Sequence, residues 1–237
     1  METTAAKKVL IICYSFSGQT SNLLAGLTNG LESAGITVII ERLRPVKPLR
    51  FPFGSVRATA VMMMMTFFRK RIPIAPLSDK CKGRYDLMIL AGPTWSYHPS
   101  GPVLSLFDRD GSTLFADRTV IPLISCRGYW RMHWFGLRAL LQKSGATVVN
   151  RIVFTHPSRE PWRTIGVFLK LAGRCPERSK FLGKYYPRYG HEKKQLEEAS
   201  RFGAMLGQAL VEGKDLASLN FQTPLAIIRG GGSNQAG

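Results

Sequence analysis

The sequence predicts an α/β domain: a doubly wound, five-stranded parallel sheet with helices on both faces and two basic insertions. Three observations carry this. Short apolar runs (VLIICYS, ITVIIERL, YDLMILAGPTW, TVIPLISC and ATVVNRIVF) have the composition of strands buried on both faces of a parallel sheet. Helical patterns separate them, which implies right-handed crossovers. The candidate ligand loops fall at the carboxyl ends of these strands, where open α/β sheets bind their ligands.

In chain order, Lys7 and Lys8 precede the first strand, which runs into S-F-S-G-Q-T. A helix over 20–34 sets Leu23, Leu24, Leu27 and Leu31 on one face and ends at Gly35. The second strand follows, then a loop over 44–54 rich in proline and arginine. Residues 55–71 read as a helix closed by Pro73, and a basic stretch leads to the third strand. SGPVLSLFDR is helical, TVIPLISC is the fourth strand, 131–144 is a helix ended by Gly145, and ATVVNRIVF is the fifth strand. Residues 157–190 are basic and aromatic, and a final helix spans 191–212. The expected organisation is one domain over 1–221, with insertions at about 44–84 and 157–190 and an unstructured tail over 222–237.

At 237 residues and 45% apolar content, the chain is long enough to bury a large core. Cys13, Cys81, Cys126 and Cys175 form no C-x-x-C pair and do not cluster with histidines, so neither a zinc site nor a disulfide framework is read. Reduced thiols fit a cytoplasmic protein. The N-terminal METTAAKKVLIICYS lacks the small-residue cleavage pattern of a secretion signal, and no stretch reaches the ~20 apolar residues of a membrane span. A net charge of +18 favours anionic partners.

Two loops carry chemistry. Ser15, Phe16, Ser17, Gly18, Gln19 and Thr20 join the first strand to the first helix. Hydroxyls at a helix N-terminus, with its free N–H groups and positive dipole end, suit an anion, although serine and threonine are also ordinary N-caps. No lysine follows, which excludes a nucleotide-triphosphatase loop. After the third strand comes Pro93, Thr94, Trp95, Ser96 and Tyr97, with Trp95 and Tyr97 as candidate walls for a flat aromatic ring. A third loop, Ser125, Cys126, Arg127, Gly128, Tyr129 and Trp130, follows the fourth strand. Tyr129 or Trp130 is expected to form a second wall, and Gly128 to let the backbone approach closely. Cys126 has no identifiable base, and His133 suits a helix surface as well as catalysis.

The motif Y-S-x-S-G-x-T resembles the FMN phosphate loop of the flavodoxin family, S/T-x-T/S-G-x-T, over six residues. Pro93, Trp95, Pro99, Phe107, Asp108 and Arg109 resemble the corresponding stretch of the flavodoxin-like quinone reductases, with spacing about one residue off. The resemblance covers roughly 7–155 and the last helix. It implies the strand order 2-1-3-4-5, with FMN as cofactor. Ser15, Ser17, Gln19, Thr20 and the Phe16 N–H would ring the phosphate, and the second and third loops would flank the isoalloxazine. The leading expectation is an FMN-dependent oxidoreductase with NAD(P)H as donor and a lipophilic, quinone-like acceptor. Its rivals are a flavodoxin-type electron carrier and a basic membrane-peripheral or nucleic-acid-binding protein with a decayed flavin site. The chain departs from electron-carrying flavodoxins in being basic and in its long insertions.

The run Val61 to Phe68 reads first as the second crossover helix packed on the sheet. Four consecutive methionines cannot share one helix face, so an adaptable apolar surface beside basic residues is the alternative, open to a substrate, a partner or a membrane. Residues 157–190 hold eight Lys and Arg against two Glu. That excess suggests peripheral contact with an anionic membrane at the inner face of a cell. Nucleic acid is disfavoured because no binding module is recognisable, and a homodimer is left open.

Overall fold

A computed structural model describes residues 6–228. The strands are β1 (Lys8–Cys13), β2 (Thr37–Arg42), β3 (Leu87–Trp95), β4 (His98–Pro99), β5 (Thr119–Cys126), β6 (Thr147–Val148) and β7 (Ile152–Thr155). The helices are α1 (Gln19–Ser33), α2 (Val56–Phe67), α3 (Gly101–Phe115), α4 (Trp130–Lys143), α5 (Trp162–Leu171) and α6 (Lys193–Glu212).

The sheet runs β2-β1-β3-β5, and both β6 and β7 pair in parallel with β5. This is the expected 2-1-3-4-5 order with its fifth strand in two pieces. The break has a local cause. Val120 pairs with Val148 and Leu123 with Ile152, so three steps on β5 face four on its neighbour. Pro122 lies in that interval and offers no N–H to the ladder, which leaves room for one extra residue. Asn150 sits in the bulge, and its amide donates to the carbonyls of Leu216 and Leu219 at 2.9 Å each, pinning the chain after α6. The remaining extra strand, β4, is a two-residue antiparallel flap on the end of β3.

One sheet face carries α1 and α6. Val9, Ile11 and Ile89 meet Leu23, Leu27 and Phe202 there. α1 and α6 approach so closely that a Cβ on Gly30 would stand 1.9 Å from the Ser200 carbonyl oxygen, and one on Gly203 2.1 Å from that of Leu27. Only glycine fits these crossing points. The opposite face carries α3 and α4, with Leu10, Leu90 and Ile124 against Leu106, Phe115 and Leu137.

Three expectations are corrected. The α2 helix is not a crossover helix laid on the sheet: Thr59 is its only buried residue. The helix is tied instead to the turn after β3 by the 2.6 Å Thr66–Ser96 hydrogen bond, with its methionines only half-buried or exposed. The insertion 157–190 contains an additional helix, α5. The tail expected from residue 222 is packed over 222–228, where Ala226 is fully buried and its carbonyl accepts from Thr155 N–H at 2.8 Å. The rest of that tail lies outside the described residues. No described helix is long and apolar enough to cross a membrane.

Candidate functional site

At the carboxyl ends of β1, β3, β5 and β7 lies a cleft of ≈ 930 Å³, its open mouth included. Cofactor clefts run ~300–1,000 Å³. One end is the loop after β1, where Phe16, Ser17, Gln19 and Thr20 line the cleft. Gly18 is left-handed at φ 83 and caps α1 without any side-chain hydrogen bond. Gly18 itself is exposed and outside the cleft lining, and a Cβ there would meet nothing within 4 Å. Ser15 stands behind the loop, its Oγ accepting the Ser21 N–H at 3.2 Å. It braces the turn and does not line the cleft.

Pro93, Thr94, Trp95 and Ser96 line the middle of the cleft. Trp95 is held edge-on by Tyr14 at 5.6 Å and by Phe16 at 5.7 Å. The turn is fixed from below by His133, whose Nδ1 shares a 2.6 Å hydrogen bond with Thr94 Oγ1. His133 is therefore a buried brace and not a surface group, and burial pushes its pKa down to about 3. Thr66 on α2 shares a 2.6 Å hydrogen bond with Ser96, which ties the first insertion to this turn.

The loop after β5 contributes Ser125, Cys126 and Arg127. Burial pushes the Cys126 thiol up to about 12, so it stays protonated and is a poor nucleophile. The expected second wall is not here. Tyr129 is exposed and meets Tyr97 edge-on at 5.4 Å, outside the cleft. Trp130 lies under the guanidinium groups of Arg131 and Arg151, at 5.6 and 5.4 Å. The space beside Gly128 is filled by the chain itself, because a Cβ there would stand 2.4 Å from Arg163 Nη2. Arg163 is buried and held by Glu160 at 3.1 Å.

Both insertions supply the wall instead. Phe53, Met62, Met63 and Thr66 come from the first; Val167, Phe168, Leu171 and Tyr189 come from the second. Tyr189 roofs the phosphate-type loop. Burial raises its pKa, opposed by the nearby polar groups of Ser17 and Gln19. Its ring also carries Lys170 Nζ at 5.7 Å.

Sequence reasoning named Ser125 at the β5 end but missed His156 at the β7 end and His191, the distant partner of Ser125. His156 lines the cleft and is 2% exposed. The Ser158 N–H donates to its Nδ1 at 3.1 Å, which places the proton on Nε2. That Nε2–H is buried without a partner among the described residues. Burial, with cationic neighbours, pushes the pKa of His156 down to about 3, so it is a neutral donor. Beside it, Ser125 Oγ lies 2.9 Å from His191 Nε2. Gln195 gives its amide N–H groups to the Thr155 and Leu225 carbonyls at 2.9 Å each, so its Oε1 is left to accept from His191 Nδ1 at 3.2 Å. His191 Nε2 is then the acceptor, and the Ser125 hydroxyl proton is committed to it. Ser125 offers the cleft lone pairs only.

No cluster of groups able to hold a metal occurs among the described residues.

The strand order, with the candidate loops after β1 and β3 at the carboxyl end of the sheet, is that of the flavodoxin-like fold. No family model matches the chain, and no curated protein matches it. Among solved structures it is similar to a flavoprotein in complex with FMN from Lactobacillus acidophilus, at 19% identity over 62% of this chain and 92% of that one, with a TM-score of 0.45. It is also similar to a flavodoxin from the domain Archaea (13%, 86% and 99%, 0.46). A third is a flavodoxin, WrbA-like protein from Agrobacterium tumefaciens (13%, 88% and 100%, 0.48).

Proposed function

We propose that this chain is an FMN-dependent oxidoreductase that takes electrons from NAD(P)H and passes them to a lipophilic, quinone-like aromatic acceptor. The observation that carries the reading is convergence. A helix N-terminus whose N-cap Gly18 offers no side-chain cap, with hydroxyl side chains beside it, and a tryptophan-walled slot meet at one cleft at the carboxyl end of the sheet.

The residues present fit the cofactor. The open left-handed turn at Gly18, the N-terminus of α1 and the hydroxyls of Ser17 and Thr20 suit a phosphate dianion. Trp95, with Met62 and Met63 across the cleft, suits a flat ring with apolar faces. The orphan donor at His156 Nε2 and the adjacent acceptor at Ser125 Oγ match the alternating C=O and N–H of an isoalloxazine's imide edge.

Bound FMN would supply two-electron and one-electron chemistry at a single ring. The protein's part is positioning. Ser17 and Thr20 would hold the anion, Trp95 would pack on the ring, and Ser125 and His156 would hydrogen-bond its polar edge. His156 stays neutral across the working pH range and so tunes the ring by hydrogen bonding and not by full charge. Arg127, on the cleft lining, supplies the positive charge that favours electron gain. Neither Cys126 nor His133 takes part in proton transfer.

The reductase reading is favoured over a carrier by the walls from the two insertions. A carrier presents an open ring edge to a protein partner, whereas Phe53, Met63, Phe168 and Leu171 enclose a small-molecule space. The test is the visible absorption of the purified protein, followed by oxidation of NADH and NADPH with a quinone. A folded protein that takes up no FMN refutes the proposal. One that binds FMN and reduces only a protein acceptor reassigns it as a carrier.

A further inference from the structure

The outer side of α2 is an unpartnered apolar face. Val61, Met64 and Phe68 lie at helical spacing and are 51%, 64% and 74% exposed. The first turns of α4 present a second such face, with Met132 at 58% and Phe135 at 64% exposed. The two faces are neighbours. A Cβ on Gly136 of α4 would lie 3.5 Å from Arg69 Nη2 at the end of α2, and the Tyr97–Tyr129 pair spans from the Ser96 turn bound by Thr66 to the start of α4. Large exposed apolar side chains normally scatter singly, and a contiguous set needs an occupant.

Charge identifies it. Residues 42–78, which contain α2, hold eight Lys and Arg and no Asp or Glu; residues 118–159, which contain α4, hold seven and none. Arg57 on α2, Arg69 and Lys70 just beyond its end, and Arg131 and Arg138 on α4 are exposed. A second copy packed by twofold symmetry would bring this rim against itself. An anionic bilayer surface complements it, taking the aromatic and methionine side chains into the interfacial layer while the cations meet headgroups.

We propose that the α2–α4 face docks on anionic membrane surface and that α2 is the partition between bilayer and cleft. The same helix that turns Val61, Met64 and Phe68 outward turns Met62, Met63 and Thr66 into the cleft. A lipophilic acceptor drawn from the bilayer therefore has one helix to pass. This second statement rests on the proposed oxidoreductase reading; the docking itself does not.

The experiment is flotation of the full chain with vesicles of phosphatidylcholine alone or mixed with phosphatidylglycerol, at low and high salt. Binding is expected only to the anionic vesicles, falling as salt screens the rim. The exposed pair Phe68→Ser with Phe135→Ser, and separately Arg69→Glu with Lys70→Glu, should each weaken it by about tenfold or more. Lys180→Glu with Lys184→Glu on the second insertion should leave it within about twofold. Equal binding to both vesicle types, loss through the insertion pair instead, or tighter binding to an oligonucleotide overturns the proposal. So does a dimer in sedimentation that the Phe68→Ser, Phe135→Ser pair disperses, since it would assign the face to a second copy. FMN content read from the same samples is independent, so failure to dock leaves the cofactor reading standing.

Discussion

His156→Phe isolates one hydrogen-bond donor at the cleft. The ring stacks on Tyr186 at 5.1 Å centroid distance and 7° interplanar angle, and phenylalanine keeps a flat ring for that contact at the cost of a modest gain in volume toward the cleft. Two nitrogens are lost. Loss of Nδ1 strips the Ser158 N–H of its acceptor, which costs the protein about 1–3 kcal/mol of stability, visible in a urea midpoint without any ligand. Loss of the Nε2–H leaves a buried flavin carbonyl unpaired, again about 1–3 kcal/mol, or ~5- to 160-fold in Kd. The assay is titration with FMN and with riboflavin. Because His156 addresses the ring, both ligands should weaken by the same factor. Ser17→Ala with Thr20→Ala should behave in the opposite way. It removes two donors to a charged group, each worth about 1.5–3 kcal/mol, so FMN affinity falls at least about tenfold while riboflavin is unaffected. A folded His156→Phe protein with unchanged Kd for both ligands refutes the assignment of the orphan donor. A loss for FMN alone would move His156 to the phosphate end and break the placement of the ring.

Trp95 should dominate quenching of the intrinsic fluorescence by FMN: Trp130 and Trp134 pack beside Arg151 and Trp162 stacks on Tyr185 at 4.4 Å, all outside the cleft lining. Equal quenching in wild type and Trp95→Phe would place Trp95 away from the ring. Acid should destabilise the fold from pH 6.5 downward. Burial holds His133 and His156 down to about 3 and His191 to about 4, so below the unfolded value of 6.5 the unfolded chain takes up protons that the native one refuses. Their contribution is complete above pH 6.5 and declines as pH falls, by about 1.4 kcal/mol per pH unit for each histidine that stays neutral. A urea midpoint that does not drop between pH 7 and pH 5 contradicts that burial.

The parallel sheet was legible because its strands are apolar on both faces, and the α1 loop because hydroxyls, glycine and a helix start coincide in six residues. What stayed hidden has identifiable causes. α5 was masked by Gly166, which reads as a loop signal; it is there because a Cβ would stand 2.4 Å from the Tyr186 ring. The Ser125, His191 and Gln195 network depends on partners as far as 66 residues apart, and nothing in local spacing announces it. Tyr129 and Trp130 were placed in the wall because they follow a strand end. Strand position alone does not decide which side of a turn a ring takes, and here both turn away from the cleft. The wall that exists is built from segments whose composition reads as insertion.

That origin of the wall bears on function. The loops on β1, β3 and β5 alone would leave one side of the cleft open, as an electron carrier requires. The segments that close it are joined to those loops by specific contacts: Thr66 hydrogen-bonded to Ser96, Gly190 packed against Gln19, and Phe53 stacked on Phe16 at 5.2 Å. A cover bonded to the ligand loops should feel whether the ligand is present. The two covers have separate anchors. The first is set by the Thr66–Ser96 hydrogen bond and by Phe53 on Phe16, and the second by Tyr189 stacked on Phe51 at 5.9 Å and by Gly190 set against Gln19.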